Sequence, residues 1–285
     1  MVRIGHAPWH TGDAGMTTLT LRDLAPDGPY ILDHHQLMLV TKGHGTHEVD
    51  FVAYPCRPGV LFWARPGQVV RFGGQVGLDA VLVCWSPDLD TPPDGPTHWL
   101  PAGEDEDAVI NEVSQLVVDC ERRLSAVLLR QQLAVLLLRI ALLGTSNPDS
   151  RAAAEGEAET FRRFRAHIEQ EYARTRRVDD YAAHLGCCVR TLTRASLAAT
   201  GRSAKQVIDD RVALQAKRLL AGTDLPVAEI GRRLGFPEPT NFGRYFQREV
   251  GQSPGSFRQG LADQPLAVVP APRQPLDTIH SRIQA

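Results

Sequence analysis

Short alternating or continuous apolar runs, separated by glycine and proline, fill the first third of the chain. They predict β-strands at 36–41, 46–52, 60–64, 69–72 and 80–85. The breaks between them, at 42–45, 57–59 and 65–67, contain glycine or proline and allow the chain to reverse. Several short strands at this spacing favour a small antiparallel barrel or sandwich.

The apolar period becomes helical between 104 and 143 and predicts two consecutive helices. The second helix, with its dense Leu/Val run from Leu133, is apolar over more of its circumference than one core-facing stripe requires. Two interpretations stay open for it: a dimer interface between two chains, or a helix buried within its own domain.

The next segment, 145–159, is small, polar and acidic and is typical of a linker. Residues 263–285 are rich in proline without a clear period and predict a disordered tail. We therefore expect a sensing β-domain at 1–102, a helical connector and dimerisation element at 103–144, the linker, and a helical domain at 160–262.

Charge is unevenly distributed although the net charge is only −2. Residues 161–262 hold 18 Lys and Arg against 10 Asp and Glu, whereas the rest of the chain holds 13 against 23. A basic module beside an acidic one favours a nucleic-acid partner. The start, MVRIGHAPWH, lacks an apolar signal segment, and no run of 18 uncharged apolar residues occurs, so we expect a cytoplasmic protein without a membrane partner.

One pattern occurs twice in the basic module. Leu185-Gly186, Arg194 and Gly201 correspond to Leu234-Gly235, Arg244 and Gly251, at offsets of 49 or 50 residues. In each copy an apolar stripe ends at a glycine and a second helix follows, which predicts two helix-turn-helix units. A longer helix with a capping box at 203–206 joins them. If both second helices enter successive major grooves, they should lie roughly 34 Å apart.

The segment from Val178 to Phe257 resembles the C-terminal signature of the AraC/XylS family of transcription regulators. The positions that carry this resemblance are Ile230, Gly235, Phe236, Phe242, Arg244, Phe246, Gly251, Pro254 and Phe257. The N-terminal region is similar, less specifically, to the family's cupin-like sensing domain through Pro58-Gly59 and Pro66-Gly67. The resemblance implies an effector-binding domain, a helical dimerisation element and two units that read adjacent major grooves of double-stranded promoter DNA. RNA polymerase is a further candidate partner.

Six side chains are predicted to contact DNA because they point outward from the second helix of a unit. They are Arg190, Thr193, Arg194, Thr240, Asn241 and Arg244. An arginine can donate two hydrogen bonds to guanine, and an asparagine can pair with adenine. For Arg194 and Arg244, an internal salt bridge is the main alternative.

The first unit departs from the family pattern at two positions. Ser196 stands where a core aromatic is usual, and Cys188 stands where Ser or Thr would cap the second helix. A lost cap costs about 1 kcal/mol, so we expect the first unit to be looser than the second. In the second unit, Gly243 inside the helix costs a similar amount relative to alanine, about 1 kcal/mol.

Candidate effector contacts in the β-domain are His35, His47 and Trp63, although Trp63 is most simply a core residue and a surface or hydrogen-bonded position is the default for the histidines. The histidines do not follow a metal-ligand spacing, and the five cysteines do not form a zinc or disulfide pattern. We expect no metal and no cofactor.

These patterns predict an α+β protein with an N-terminal cupin-like antiparallel β-domain, a helical connector and an all-α domain with two helix-turn-helix units. The expected function is sequence-specific transcription regulation in response to a small molecule or dimer state, without catalysis. Activation and repression are both open. A cupin-type metalloenzyme with an appended DNA module, and a helical protein-interaction module, are the alternatives.

Overall fold

The computed structural model describes residues 14–24, 29–89, 96–143 and 151–262, of which 74–75, 151–157 and 262 are described by their backbone alone. The chain divides into two compact units between Ser146 and Asn147. The predicted tail at 263–285 lies outside the described residues.

The N-terminal unit is an antiparallel sheet followed by two long helices. Its elements are β1 (Met16–Thr20), α1 (Leu21–Leu24), β2 (Tyr30–Ile31), β3 (His35–Val49), β4 (Val52–Cys56), β5 (Leu61–Ala64), β6 (Val69–Trp85), β7 (His98–Trp99), α2 (Glu104–Glu121) and α3 (Ala126–Leu143). The strand order is β1-β6-β3-β5-β7, with β2 also paired to β6 and β4 to β3. All of these pairs are antiparallel, which confirms the predicted class of sheet.

The predicted chain reversal at 42–45 is wrong. β3 continues through this segment as one strand of 15 residues, with register shifts against β6 between Val40 and Thr46. Glycines inside a strand allow such irregularities, and Gly43 has a φ of 75° where its backbone approaches the carbonyl of Gly77 closely. The chain reverses instead at Asp50 and Phe51, which both have positive φ.

Alternation along the strands gives the sheet two apolar faces. One face, including Leu37, Trp63 and Val83, packs against α2 and α3. The other, including Met38 and Phe62, forms a second core within the sheet. The strands β1, β2, β4 and β7 were not predicted because they are short, polar or, in β4, contain proline.

Helix α3 is apolar on both sides. Its buried residues are Leu129, Leu133, Leu136, Leu137 and Ile140. Its exposed apolar residues are Val127, Leu128, Val135, Leu138 and Leu142, and we call these the outer face of α3. By length and composition, α3 is the one helix in the described residues that could span a membrane. Packing in one core with the sheet and α2 explains the apolar residues on the buried side of α3, but not those of its outer face.

The C-terminal unit is all-α. Its helices are α4 (Arg151–Glu171), α5 (Val178–His184), α6 (Val189–Thr200), α7 (Ala204–Gly222), α8 (Val227–Arg233), α9 (Pro239–Val250) and α10 (Pro254–Ala262). Helix α4 corrects the predicted linker, since residues 151–159 belong to it. Alanine and glutamate dominate this stretch, and both are strong helix formers.

Candidate nucleic-acid interface

Helices α5 and α6 form the first helix-turn-helix unit, and α8 and α9 form the second. The turns contain Gly186 and Gly235, with φ of 66° and 76°. At both positions a side chain would be strained, which explains the repeated glycine. The second helices end at Gly201 and Gly251, again with left-handed backbone. The two predicted units are therefore confirmed.

In the first unit, α6 separates a buried face from an exposed one. Leu192, Ala195 and Ser196 are buried. Arg190 and Arg194 are exposed, and Thr193 is partly exposed between them. The three predicted DNA contacts of this helix consequently lie on its solvent side.

In the second unit, α9 is divided in the same way. Phe242, Tyr245 and Phe246 are buried, and Thr240, Asn241 and Arg244 are exposed. Both helices thus present arginine and other polar side chains away from the core. A hydrogen-bonding face of this kind on a helix can reach base edges in a major groove.

The charges on this surface differ in their pairing. The side chains of Arg190 and Arg244 make no ion pair and no hydrogen bond with another residue in the described ranges. By contrast, Arg232 and Arg233 share Glu229, at 2.7 and 3.2 Å. Arg194 does make an interaction within the protein, so the intramolecular role considered from the sequence stays open for it.

Helix α7 joins the units and begins with the predicted capping box. Ser203 accepts a hydrogen bond from the backbone N–H of Gln206, and the Gln206 side chain accepts one from the Ser203 N–H. The hydroxyl of Tyr245 in α9 donates to the backbone carbonyl of Asp209 over 2.6 Å. The second recognition helix is therefore fixed to the joining helix.

The N-termini of the two recognition helices have no side-chain cap. Cys188 and Glu238 occupy the N-cap positions without accepting a hydrogen bond from the helix backbone. The Cys188 thiol instead lies 3.2 Å from the Thr191 hydroxyl, and hydrogen bonding to Thr191 lowers the pKa of this exposed thiol. The weak cap anticipated at Cys188 is confirmed, but it is shared by the second unit.

The three predicted effector contacts do not form one group. Trp63 Nε1 donates to His35 Nδ1 over 3.3 Å, and the His35 ring stacks on Trp85. Burial, reinforced by the charge of Arg65, lowers the pKa of His35 to about 4. This pair belongs to the face packed on α2 and α3. His47 instead contacts Phe62 and Phe72 in the other core.

Buried polar atoms in the sheet domain include several that the sequence did not reveal. Tyr30 Oη, both side-chain polar atoms of Gln36 and both ring nitrogens of His47 are buried and make no hydrogen bond of normal geometry among the described residues, although Gln36 faces Tyr30 and His34, and His47 faces the backbone of Arg71. Burial also lowers the pKa of His47 to about 3, so its imidazole is neutral. Gln36, at the head of an apolar run, is the one signal that could have marked this group.

No group of three or more His, Cys, Asp or Glu is placed to hold a metal ion within the described ranges. The described cysteines are all free thiols. Neither a metal nor a cofactor is assigned to any residue on this basis.

An antiparallel sheet domain followed along the chain by two helix-turn-helix units defines a class of DNA-binding regulators. A helix-turn-helix domain model matches residues 181–260, and an AraC-like ligand binding domain model matches residues 28–78. The HTH-type transcriptional activator RhaR of Klebsiella pneumoniae is 26% identical over 243 residues, which cover 79% of this chain and 84% of that protein.

The arabinose operon regulatory protein of Salmonella typhimurium is 25% identical over 267 residues, covering 87% of this chain and 92% of that protein. Its counterpart from Escherichia coli is 42% identical over 55 residues, covering 19% and 18%. Both domain types of AraC-type transcription regulators, a helix-turn-helix DNA-binding domain and a ligand-binding domain, are thus present in this chain.

Proposed function

We propose that this regulator reads promoter DNA sequence-specifically through both recognition helices. The proposed contacts are Arg190, Thr193 and Arg194 on α6 and Thr240, Asn241 and Arg244 on α9. The observation that carries the proposal is that the repeat exposes the same face of both helices, with Arg190 and Arg244 unpaired among the described residues. A guanidinium without an internal partner can donate to guanine O6 and N7 without first breaking a salt bridge.

Phosphate contacts would supply the sequence-independent part of the affinity. The excess of 18 basic over 10 acidic residues between 161 and 262 supports this role. Each Lys or Arg that meets a phosphate releases counterions, so affinity should fall steeply as salt rises.

The N-terminal unit is proposed to sense a small molecule, within a domain spanning 1–102. The unpartnered atoms of Tyr30, Gln36 and His47 support this, because a bound polar molecule would supply the hydrogen bonds that they lack. His35 and Trp63 form a hydrogen bond with each other and lie on the face packed against α2 and α3. For this pair, a role in the core is as consistent with the structure as a role in effector binding. A ligand that raises the melting temperature of the wild type but not of Gln36→Leu, with His44→Leu as control, would identify the site.

A homodimer is proposed through the connector at 103–144. The outer face of α3 is a mainly apolar surface, since Val127, Val135, Leu138 and Leu142 all lie on one side of the helix, interrupted by the exposed Gln131. Leu138→Glu should shift the full chain to monomer in sedimentation velocity at tens of micromolar. Asn111→Glu on the exposed side of α2 adds the same charge and should leave the association unchanged. A wild type that is monomeric at that concentration would contradict the proposal.

Further elements of the proposal follow from the relatives. Several of them are named as transcriptional activators, which favours activation, a cytoplasmic location and RNA polymerase as a partner. We propose that the protein has no catalytic activity and binds no metal. Elemental analysis that found one metal per chain would favour the alternative of a cupin-type metalloenzyme with a DNA module.

The experiment that tests DNA reading starts with selection of duplexes from a random pool by the full chain. Fluorescence anisotropy should then give at least hundredfold tighter binding to the selected duplex than to a scrambled one at physiological salt. The double variant Arg190→Ala/Arg244→Ala should lose most of that ratio. Arg232→Ala/Arg233→Ala removes the same charge from α8 and is the control. If the first variant loses affinity equally for both duplexes, the two arginines contact phosphates and do not read bases.

A further inference from the structure

The loop between α4 and α5 lies against the turn of the second unit. Arg176 Nη1 donates to the carbonyl of Leu234 over 3.0 Å, and its Nη2 donates to the carbonyl of Gly235 over 3.2 Å. The guanidinium also lies 3.8 Å above the ring of Phe236. One side chain of the loop before the first unit thus contacts the three consecutive residues that follow α8.

The residues on both sides of this contact are held by buried side chains of the helix-turn-helix unit to which each side is adjacent. On the first side, the buried Tyr181 of α5 donates its hydroxyl to the carbonyl of Thr175, next to Arg176, over 3.1 Å. On the second side, the Phe236 ring packs on Phe242 and Tyr245 of α9 at 5.4 and 5.0 Å between centroids. The contact therefore connects the buried residues of α5 with those of the second recognition helix.

Backbone approach at the same place is a separate observation. A side chain at Gly235 would clash with the carbonyl oxygen of Ala173, and this glycine also has a φ of 76°. Loop and turn are consequently in contact at backbone distance, which leaves Arg176 little freedom to slide. Burial lowers the pKa of Arg176 from its usual range, as expected for a guanidinium held between two elements.

We infer that Arg176 is a positioning residue for DNA recognition, a second link that holds α9 at a fixed distance and angle from α6. The first link is α7, which joins the units along the chain. Tyr245 already fixes α9 to α7, and the contact through Arg176 adds a second constraint from the side of α5 that closes the connection between the two helix-turn-helix units. The inference rests on the proposed function, because only a protein that reads two grooves together needs a fixed separation of its recognition helices.

The test measures how strongly the full chain prefers one spacing of the two half-sites. The probes are the selected duplex and two versions with one base pair added or removed between the half-sites, a change of about 3.4 Å and about 35°. Wild type should prefer the selected spacing at least tenfold. Arg176→Ala should lower this preference to about threefold or less, with affinity for a duplex holding the second half-site alone unchanged within twofold.

Arg174→Ala is the matched control, because Arg174 lies in the same loop and its side chain pairs with Glu171 of α4 at 3.0 Å. It removes the same charge and should keep the spacing preference of the wild type. If Arg176→Ala fails to fold, Arg176→Lys replaces it, since a lysine is a point charge that cannot bridge both carbonyls in the planar fork of arginine. Equal weakening on all three spacings, or an unchanged preference, would overturn the inference.

A readout without DNA separates this inference from the proposed function. Spin labels at Leu197→Cys on α6 and Gln247→Cys on α9, with Cys187 and Cys188 replaced by serine, report the distance between the recognition helices. Its distribution should be narrow in the otherwise wild-type chain and in Arg174→Ala, and should broaden in Arg176→Ala. An unchanged distribution overturns the link even if the protein binds its DNA, and a broadened one supports it even if specific binding fails.

Discussion

The two helix-turn-helix units share their turns but not the source of their cores. In the second unit the recognition helix supplies its own aromatics, with Phe242 and Phe246 fully buried and Phe246 packed edge-on against Phe257. The corresponding residues of the first unit are Leu192 and Ser196. Ser196 is buried as well, and its hydroxyl donates to the carbonyl of Leu192 over 2.8 Å.

Helix α4 supplies the missing rings of the first unit. Phe161 and Phe164 of α4 are buried in one cluster with Tyr181 and Leu192, and Phe164 meets Tyr181 edge-on at 5.6 Å. From the sequence, Ser196 predicted a loose first unit, but in the structure aromatic rings from outside the repeat complete the core of that unit. The repeated motif thus specifies the turn and the exposed face, while each unit obtains its core where the chain provides one.

The largest expected effect comes from removing an aromatic of α4. Phe164 is completely buried, so Phe164→Ala should destabilise the unit that contains it by about 3–5 kcal/mol. Because Phe164 packs on α5 and α6, the loss should appear first in the first unit. Hydrogen exchange of the full chain, read by mass spectrometry, should show amides of α6 losing protection before those of α9.

Phe246→Ala is the matched variant in the second unit. It should reverse the order, so that amides of α9 exchange before those of α6 with a loss of similar size. If both recognition helices lose protection simultaneously in both variants, the two units unfold together. The difference between their cores would then not affect the order of unfolding.

The next effect concerns DNA. Arg244→Ala should lower affinity for the selected duplex by about 1–3 kcal/mol and much less for random DNA, if Arg244 reads a base. We expect a smaller loss for Arg194→Ala, because Arg194 already has an interaction inside the protein, whereas Arg244 has none among the described residues. Anisotropy titrations on duplexes mutated in one half-site at a time should assign the two losses to different half-sites. An equal loss on random DNA would contradict base reading.

Features set by neighbouring residues could be predicted from the sequence. The turns at Gly186 and Gly235 and the capping box at Ser203 depend on residues a few positions apart, and all three were predicted. The continuity of β3 could not be, because the glycines at 43 and 45 equally suit a reversal, and only pairing with β6 decides between reversal and bulge. The first residues of helix α4, 151–159, could not be distinguished from a linker, because linkers and the exposed first turns of helices are both rich in small and acidic residues.

The site residues show the same limit. Outward positions on α6 and α9 follow from helical periodicity, so all six predicted DNA contacts are at least partly exposed. The two carbonyl groups that accept hydrogen bonds from Arg176 lie 58 and 59 residues away in sequence. The two phenylalanine rings that contact His47 come from other strands. Periodicity alone could not reveal that Arg176 connects the two helix-turn-helix units, or that the ring nitrogens of His47 are buried without a hydrogen bond of normal geometry.

A third prediction concerns the starts of the two recognition helices, which lack a side-chain cap in both units. Cys188→Ser should stabilise the first unit by about 0.5–1 kcal/mol, because a serine at the N-cap can accept a hydrogen bond from the helix backbone. Glu238→Ser is the control, since the second unit also lacks a side-chain cap and should gain a similar amount. Slower exchange confined to α6 in the first variant, and to α9 in the second, would confirm it. Unchanged exchange rates in α6 would show that the Thr191 contact already serves as the cap.

The smallest effect is a dependence on pH that only the first unit should show. The rings of His167 in α4 and His184 in α5 stack at 3.8 Å between centroids, and the sequence has no histidine between His184 and His280. Burial, and secondly the neighbouring His184, lower the pKa of His167, while Glu171 and Gln170 act in the opposite direction. The unfolded chain therefore binds more protons below its usual histidine pKa of about 6.5.

Because the folded pKa is the lower one, stability from the contact between α4 and α5 is complete above about pH 6.5 and decreases as the pH falls below it. The pair lies near the surface, so screening should keep the change below that of the other variants. Hydrogen exchange corrected for the intrinsic pH dependence of each amide should show α6 losing protection relative to α9 between pH 7.5 and 5.5. His184→Gln should flatten this trend, because it removes the neighbouring imidazole, whereas His44→Gln in the sheet domain should not. If α6 and α9 lose protection in parallel in all three proteins, the stacked histidines do not distinguish the two units.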